Sequence, residues 1–400
     1  MKFNSLRSLS SGILYAGAAI GVSHLVQSTR AGAAFGLELI LAIILIHILK
    51  YSLFKAGAWY PARTGKDLIH GYKSLSNWAP WIFLLMTLAT MSIIIAAICM
   101  VSAGLMANLI STKISVSLWS FILLLSSCLV IYKSNTDALS NYLKWIVLAL
   151  SLTTIICLAA NYKALYQLFT SFKGFTFSLD NRANFIFLLA FLGWMPAPMD
   201  ISVWQSIWIV DGKKSQDSNT RMLDFKIGYW GTAIMAIIFV MLGASVFYNS
   251  EIVLQDGAVA FTAQFLNMYA STLGNWVNPI IAFAALATML STLITCLDAF
   301  PKALHSTLKT IEYKGPSMFK NQHFLLLFNA VISLIIILFF SHSLASLVDF
   351  ATIISFVVSP VLGYFNYRLL FDKKPWGLEK IVSCLGLLLL TALAFAYLLV

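Results

Sequence analysis

Apolar residues run in long blocks separated by short polar patches, and this pattern holds along almost the whole chain. A membrane-spanning helix needs about 20 mostly apolar residues. By that measure the chain predicts eleven spanning helices, near 12–33, 36–54, 79–107, 115–132, 143–161, 184–209, 227–248, 274–300, 323–341, 345–369 and 380–399. The segments between them are short, so 1–400 reads as a single transmembrane domain with no second, water-facing one.

Two blocks carry helix breakers at mid-depth. The first span contains Gly17, Gly21, Ser23 and His24, and the sixth reads Gly193-Trp194-Met195-Pro196-Ala197-Pro198-Met199-Asp200. Each proline lacks an N–H and its ring clashes with the preceding turn, so a continuous sixth helix is not expected. Unwound backbone at membrane depth persists only where protein buries it or a polar cavity lines it. The breaks lie five helices apart, in helices of opposite direction. That is the pattern of an inverted five-helix repeat, 12–161 and 184–369, with 380–399 as an extra helix. Paired broken helices at matching positions point to a binding site between the repeats.

Composition supports the membrane reading. The chain is 60% hydrophobic and 10% charged, against about 45–50% and 25% in soluble proteins. A soluble enzyme, a disordered chain, a coiled coil and a disulfide scaffold are excluded. The five cysteines are widely spaced and read as apolar filler. The net charge of +11 reflects basic residues retained on one membrane face rather than nucleic-acid binding. With the N-terminus inside, most of the basic residues, from Lys2 and Arg7 through Lys213, Lys214, Lys373 and Lys374, fall on that side. The other side holds Lys113, Lys163, Lys173 and Arg182, while Arg30 and Lys50 sit at helix edges. The expected topology is N-inside and C-outside, in a bacterial inner membrane. A cleaved signal peptide over 12–22 competes with this reading, but the apolar run continues through Leu25 and Val26, which favours an interrupted spanning helix.

The breaks free carbonyls, which suit cations, and half-helix N-termini, which suit anions. Beside them, His24 offers an imidazole, Met195 a thioether and Asp200 the nearest formal negative charge. Soft ligands favour transition metals, and an acid at this depth is a functional candidate, though Asp200 also suits a helix cap. Gln27 and Ser28 follow His24 on one helical face. Thr288, Ser291, Thr292, Thr295 and Asp298 line one face of the eighth span as a possible permeation path, and Asp349, Thr352, Ser355 and Ser359 lie along the tenth. Hydroxyl residues also serve as packing glue in membranes. Glu38 is a single acid without an evident partner. No phosphate loop, H-E-x-x-H or G-x-S-x-G is present, so neither enzymatic activity nor a cofactor is expected.

The chain resembles a divergent bacterial branch of the Nramp family of divalent metal transporters. Phe35-Gly36 matches the family's phenylalanine-glycine pair after the first helix. Gly65-Lys66-Asp67-Leu68 matches its GKDL turn, Met195-Pro196 its helix-six break, Ser291-Thr292-Leu293-Ile294-Thr295 its eighth-helix stretch, and Ser355 to Pro360 its tenth helix. The resemblance implies an all-α, LeuT-like transporter with alternating access. By position, Gly21 takes the slot of the family's DPGN aspartate, His24 that of the asparagine, Met195 that of the methionine, and the Leu192 carbonyl that of a backbone ligand. The family's aspartate is therefore missing, Ala197 and Ser202 replace its helix-six histidines, and Met86 to Val101 contains no acid to carry protons. Proton coupling of the family's kind thus lacks its carboxylates, although His24 titrates in the right range.

The expected function is transport of a metal cation, with Gly21, His24, Leu192, Met195 and Asp200 as its site, the metal as cargo and the bilayer as partner. The alternative is a small organic solute such as an amino acid, its carboxylate cradled by free N–H groups near Ala19, Gly21 and Ser23. A membrane sensor or scaffold is disfavoured by the lack of a soluble output domain.

Overall fold

The computed structural model describes residues 11–133, 136–171, 174–175, 177–212, 218–248, 250, 252–372 and 375–399. Lys2, Arg7, Lys173, Lys213, Lys214, Lys373 and Lys374, which entered the charge argument, lie outside them. The described residues are helical, with no strand among them.

Eight helices among the described residues are long and apolar enough to span a membrane. A ninth forms if Leu148–Ala160 and Tyr162–Thr170, bent by 63°, count as one. The first and sixth spans do not register by length because each is broken. The first consists of Ser11–Ala19, a π-wound turn Ser23–Ser28 and Thr29–Phe35. The sixth consists of Arg182–Gly193 and Asp200–Asp211. The others follow the predicted order, with the third span extending over Ala79–Leu109, the seventh over Ser218–Gly243, the eighth over Asn278–Thr310, the tenth over Leu344–Phe371 and the eleventh over Leu378–Leu399.

Two expectations need correction. The second span does not end at 54 but runs Ile40–Thr64. Lys55, Pro61 and Arg63 end the apolar window without ending the helix, which stops at Gly65 in the left-handed region, φ 68°. Lys50 is therefore not at a helix edge: it lies mid-helix and 1% exposed. The connection between the seventh and eighth spans is not a simple short loop either. It holds the helix Ala258–Leu273, which is packed against the third span, where Asn108 Nδ2 donates to the Val259 carbonyl at 2.9 Å.

Apolar side chains fill the interior and also cover the outer surface, while a set of polar residues is buried among them. Leu41, Leu45 and Ile48 of the second span and Leu385, Leu388 and Phe395 of the eleventh are exposed, while His24, Gln27, Lys50, Asp200 and Gln205 are buried. Close helix approach depends on small residues, as membrane interfaces do. A Cβ on Gly32 would meet the Val240 carbonyl, on Gly57 the Ser202 backbone, and on Gly193 the Thr352 carbonyl. These contacts clamp the first span to the seventh, the second to the sixth, and the sixth to the tenth. The broken stretches are thereby held in the middle of the bundle.

After the second span, Asp67 caps the short helix Leu68–Leu75, accepting from the His70 N–H at 3.0 Å. Its other oxygen accepts from Ser306 Oγ of the eighth span at 2.6 Å. Glu38 does have a partner: its Oε2 accepts from the Phe177 N–H at 2.8 Å. Cys99, Cys128, Cys157 and Cys296 are buried and Cys384 half-buried, all unpaired.

Candidate functional site

The first break centres on Ile20 and Gly21, where the Gly21 N–H reaches back only to the Ala19 carbonyl, at 3.0 Å. The eighth span supports it. Thr292 Oγ1 donates to the Gly17 carbonyl at 3.0 Å and lies 3.5 Å from the Ile20 carbonyl. That support explains the residue at 21. A Cβ there would sit 3.0 Å from Thr292 Cγ2 and 3.1 Å from its hydroxyl. Any side chain at 21 would therefore start out pressed against a threonine that is tied to the break.

The π-wound turn that follows is internally bonded. Ser23 Oγ donates to the Ala19 carbonyl at 2.9 Å, and Ser28 Oγ to the Ser23 carbonyl at 3.2 Å. His24 is 0% exposed and both ring nitrogens are engaged, Nδ1 with Ser23 Oγ at 2.8 Å and Nε2 with the Thr232 carbonyl of the seventh span at 3.0 Å. In this arrangement the imidazole ties two helices together and offers neither nitrogen to a cargo.

In the sixth span the helical ladder ends at Leu192 and Gly193, and Pro196 and Pro198 keep it from resuming before Asp200. Trp194 Nε1 donates to Ser355 Oγ of the tenth span at 2.9 Å, fixing one edge. The carbonyls of Leu192 and Met195, at the break, converge on one group, though the Leu192 oxygen also accepts from the Met195 N–H at 3.3 Å. Lys50 Nζ donates to the first at 2.8 Å and to the second at 3.1 Å. Leu192, Met195 and Lys50 are all buried. The carbonyl seat thus holds a cation, and the cation is the protein's own.

The charge around the seat is positive. His47, one turn before Lys50, lies within electrostatic reach of both His24 and Lys50. Its Nδ1 donates to the Ile43 carbonyl at 2.7 Å and its Nε2 has no partner. Among the described residues no carboxylate bonds Lys50, and no group of three His, Cys, Asp or Glu side chains is arranged to hold a metal ion. Asp200 is 1% exposed and neither of its oxygens has a partner. Its electrostatic neighbours are Tyr72 and Cys296. It does not cap its helix, since Met199 is the N-cap residue and no side chain bonds there. Farther along the same half-helix, the indole of Trp204 and the amide of Gln205 are also buried without partners.

The sequence-derived residues therefore separate into groups. Gly21, Leu192, Met195 and Thr292 lie at the breaks. Gln27 and Ser28 lie beyond the first break. Gln27 Nε2 donates to Asp349 Oδ1 at 3.0 Å and its carbonyl oxygen accepts from Arg30 at 2.9 Å. Arg30 and Asp349 form a two-pronged ion pair at 2.6 and 3.0 Å. Thr288 bonds only its own helix, to the Ala284 carbonyl, and Ser291 is buried beside it. Thr295 is half-buried, and Asp298 pairs with Lys302 at 2.6 Å, one turn along the same helix. Lys50, His47 and Thr232 are the site residues that sequence reasoning missed. A lysine inside an apolar run was the available signal.

Residues 12–400 match the family model described as natural resistance-associated macrophage protein-like, Nramp. An uncharacterized protein of Pasteurella multocida (strain Pm70) is 33% identical over 398 residues, covering 98% of this chain and 91% of that protein. Among solved structures, the Eremococcus coleocola manganese transporter matches with a TM-score of 0.75 at 15% identity, over 99% of this chain and 88% of that one. Mhp1, a nucleobase-cation-symport-1 family transporter, matches at 0.63 and 13% identity, over 97% and 91%. MhsT, solved in complex with L-phenylalanine, matches at 0.62 and 14%, over 97% of both chains. At these identities the solved structures establish the architecture, a LeuT-type helical transporter fold.

Proposed function

This chain belongs to the Nramp family, and from that premise we propose that it carries a divalent metal cation across the membrane by alternating access, with the cargo seated between the two helix breaks. It is an integral membrane protein and a transporter rather than an enzyme. The observation that carries the proposal is the pair of carbonyls, Leu192 and Met195, that the sixth break turns onto a single cationic group. Carbonyls released by discontinuous helices are the usual donors to cations in transporters of this architecture. Met195 also carries a thioether, a soft donor type suited to manganese or iron. Asp200 carries a carboxyl group on the same segment, and its oxygens have no bonded partner. The Eremococcus coleocola neighbour, a manganese transporter, agrees with this cargo class.

In this reading the repeats are 12–161 and 184–369, with 380–399 outside them. The N-terminus faces the cytoplasm and the C-terminus the outside of a bacterial inner membrane, following the basic-residue bias. Coupling does not use acids of the third span, since Met86 to Val101 has none.

One observation favours the second reading, an organic solute bearing a carboxylate. The seat's net charge is that of the Lys50 ammonium, with His24 and His47 beside it and no bonded acid. Uptake of radiolabelled Mn²⁺ into proteoliposomes distinguishes the two. Saturable uptake that drops when Met195→Ala is introduced is the expected result. Absence of flux for manganese, iron and magnesium alike, with binding of an amino acid instead, rejects the metal reading.

A further inference from the structure

We propose that Lys50 is a tethered competitor of the cargo: its ammonium fills the carbonyl seat at the sixth break, and a metal ion enters only by displacing it. This rests on the metal-transport reading and adds a specificity-determining residue to it.

The geometry carries the argument. Lys50 Nζ has two bonded acceptors, the Leu192 and Met195 carbonyls, at 2.8 and 3.1 Å. Both belong to the stretch where the sixth helix is interrupted; the Leu192 oxygen also accepts from the Met195 N–H at 3.3 Å, so the ammonium shares it with a turn. A buried charge is normally paired with an opposite charge. Here the ammonium, 1% exposed, is held by backbone dipoles alone. A site that holds an ammonium this way is built for a cation, and it is full.

Charge makes the occupancy exclusive. A divalent ion against the same carbonyls would bring its two charges up to the Lys50 ammonium, with no carboxylate among the described residues bonded to it. Position 21 is a glycine and supplies no acid, and a Cβ there would press within 3.0 Å of Thr292 Cγ2. The simplest way to bring in a metal ion is to take the ammonium out. A lysine suits that task, being a compact charge on a flexible four-carbon stem. The rest of its helix is held in place. Gly386 of the eleventh span packs against the Leu49 backbone, and Glu379 accepts from Ser52 at 2.9 Å and from Lys55 at 2.7 Å. The side chain, rather than the helix, is the part free to leave.

The test measures Mn²⁺ binding to the full chain in lipid nanodiscs by calorimetry, alongside uptake in proteoliposomes. Lys50→Gln keeps an amide donor for the carbonyls but removes the charge, and Lys50→Met removes both. Lys55→Gln, on the same helix and bonded to Glu379, is the control. Both Lys50 variants are expected to bind Mn²⁺ at least about tenfold more tightly than the wild type, with the control unchanged. Should Lys50→Met fail to fold, Lys50→Gln alone decides. Equal or weaker binding by a folded Lys50→Gln overturns the proposal. If the wild type still carries Mn²⁺ in that case, the transport reading survives and only the competitor role falls. If no form binds or carries any divalent ion, both fall. Loss of binding of a carboxylate-bearing solute in Lys50→Gln would also overturn the proposal, by making Lys50 a ligand rather than a rival.

Discussion

The two ends of the first span are shut by different physics. Beyond the break, Arg30 grips Asp349 of the tenth span with two hydrogen bonds, Gln27 joins both, and the guanidinium lies 5.3 Å from the centre of the Phe187 ring. Before the break, closure is aromatic. Tyr15 packs edge-on against Phe54 of the second span at 6.1 Å and Phe225 of the seventh at 5.9 Å, with Tyr229 at 6.3 Å. The ion pair is only partly buried, with 18% and 27% of its side chains exposed, so dissolved salt reaches it. Tyr15 is 0% exposed and owes its contacts to dispersion and apolar burial, which salt does not screen. The Tyr15 end also holds buried polar atoms without partners, in Tyr15, Asp200, Trp204 and Gln205. The Arg30 end is thus strongly bonded but salt-sensitive. The Tyr15 end is well packed, but water entering it would find groups waiting for hydrogen bonds.

The largest expected effect comes from breaking the aromatic side. Phe54→Ala should cost about 3 kcal/mol or more, as truncation of a buried aromatic does. The melting temperature in detergent should fall by the same amount at low and high salt. Salt dependence of that loss would show that the aromatic cluster is not what holds this end. Asp349→Ala comes next. It strands Arg30 in a partly buried site and should cost about 2 kcal/mol, below the range for fully buried pairs because water still reaches it. Here the loss should shrink as salt rises, and a loss that ignores salt would erase the distinction between the ends. Asp200→Asn should change stability by no more than about 1 kcal/mol, because the carboxylate has no bonded partner to lose. Mn²⁺ uptake in the same variant should fall, and unchanged uptake would remove Asp200 from the transport path. Gln205→Leu tests stability alone and should raise it by about 1 kcal/mol by removing buried unbonded polar atoms. A drop in melting temperature would mean that the amide has a partner, and that the Tyr15 end is less short of bonds than it looks.

Much of the architecture was legible in the sequence because apolar runs and helix breakers act locally. Pro196 and Pro198 interrupt a helix wherever they fall, and Gly17 and Gly21 weaken one. Hydropathy alone makes the second span short, because an apolar window stops at Lys55 and Arg63, whereas the helix stops only at Gly65. That shortening puts Lys50 at an edge. The helix Ala258–Leu273 was missed because it mixes Gln264, Asn267 and Thr262 with its apolar residues and is stabilised by the third span rather than by its own hydropathy. The site was only half legible. His24, Met195 and Asp200 announce themselves as polar or soft residues at a break. The partners of Lys50 are backbone carbonyls 142 and 145 positions away. The resemblance points to the Leu192 carbonyl as a ligand, but nothing in residue identity pairs it, or the Met195 carbonyl, with Lys50. Nor could spacing show that Thr292 fills the room beside Gly21.

That last contact sets the order in which this lineage could change. Gly21→Asp by itself would press a new side chain into a threonine held by its bond to Gly17, so it is disfavoured as a first mutation. Once position 292 has shrunk to alanine or serine, the same acid has room. The two positions form an epistatic pair with one easy route and one hard one. The cost of an acid at 21 is thus set by the residue at 292 as much as by the acid itself.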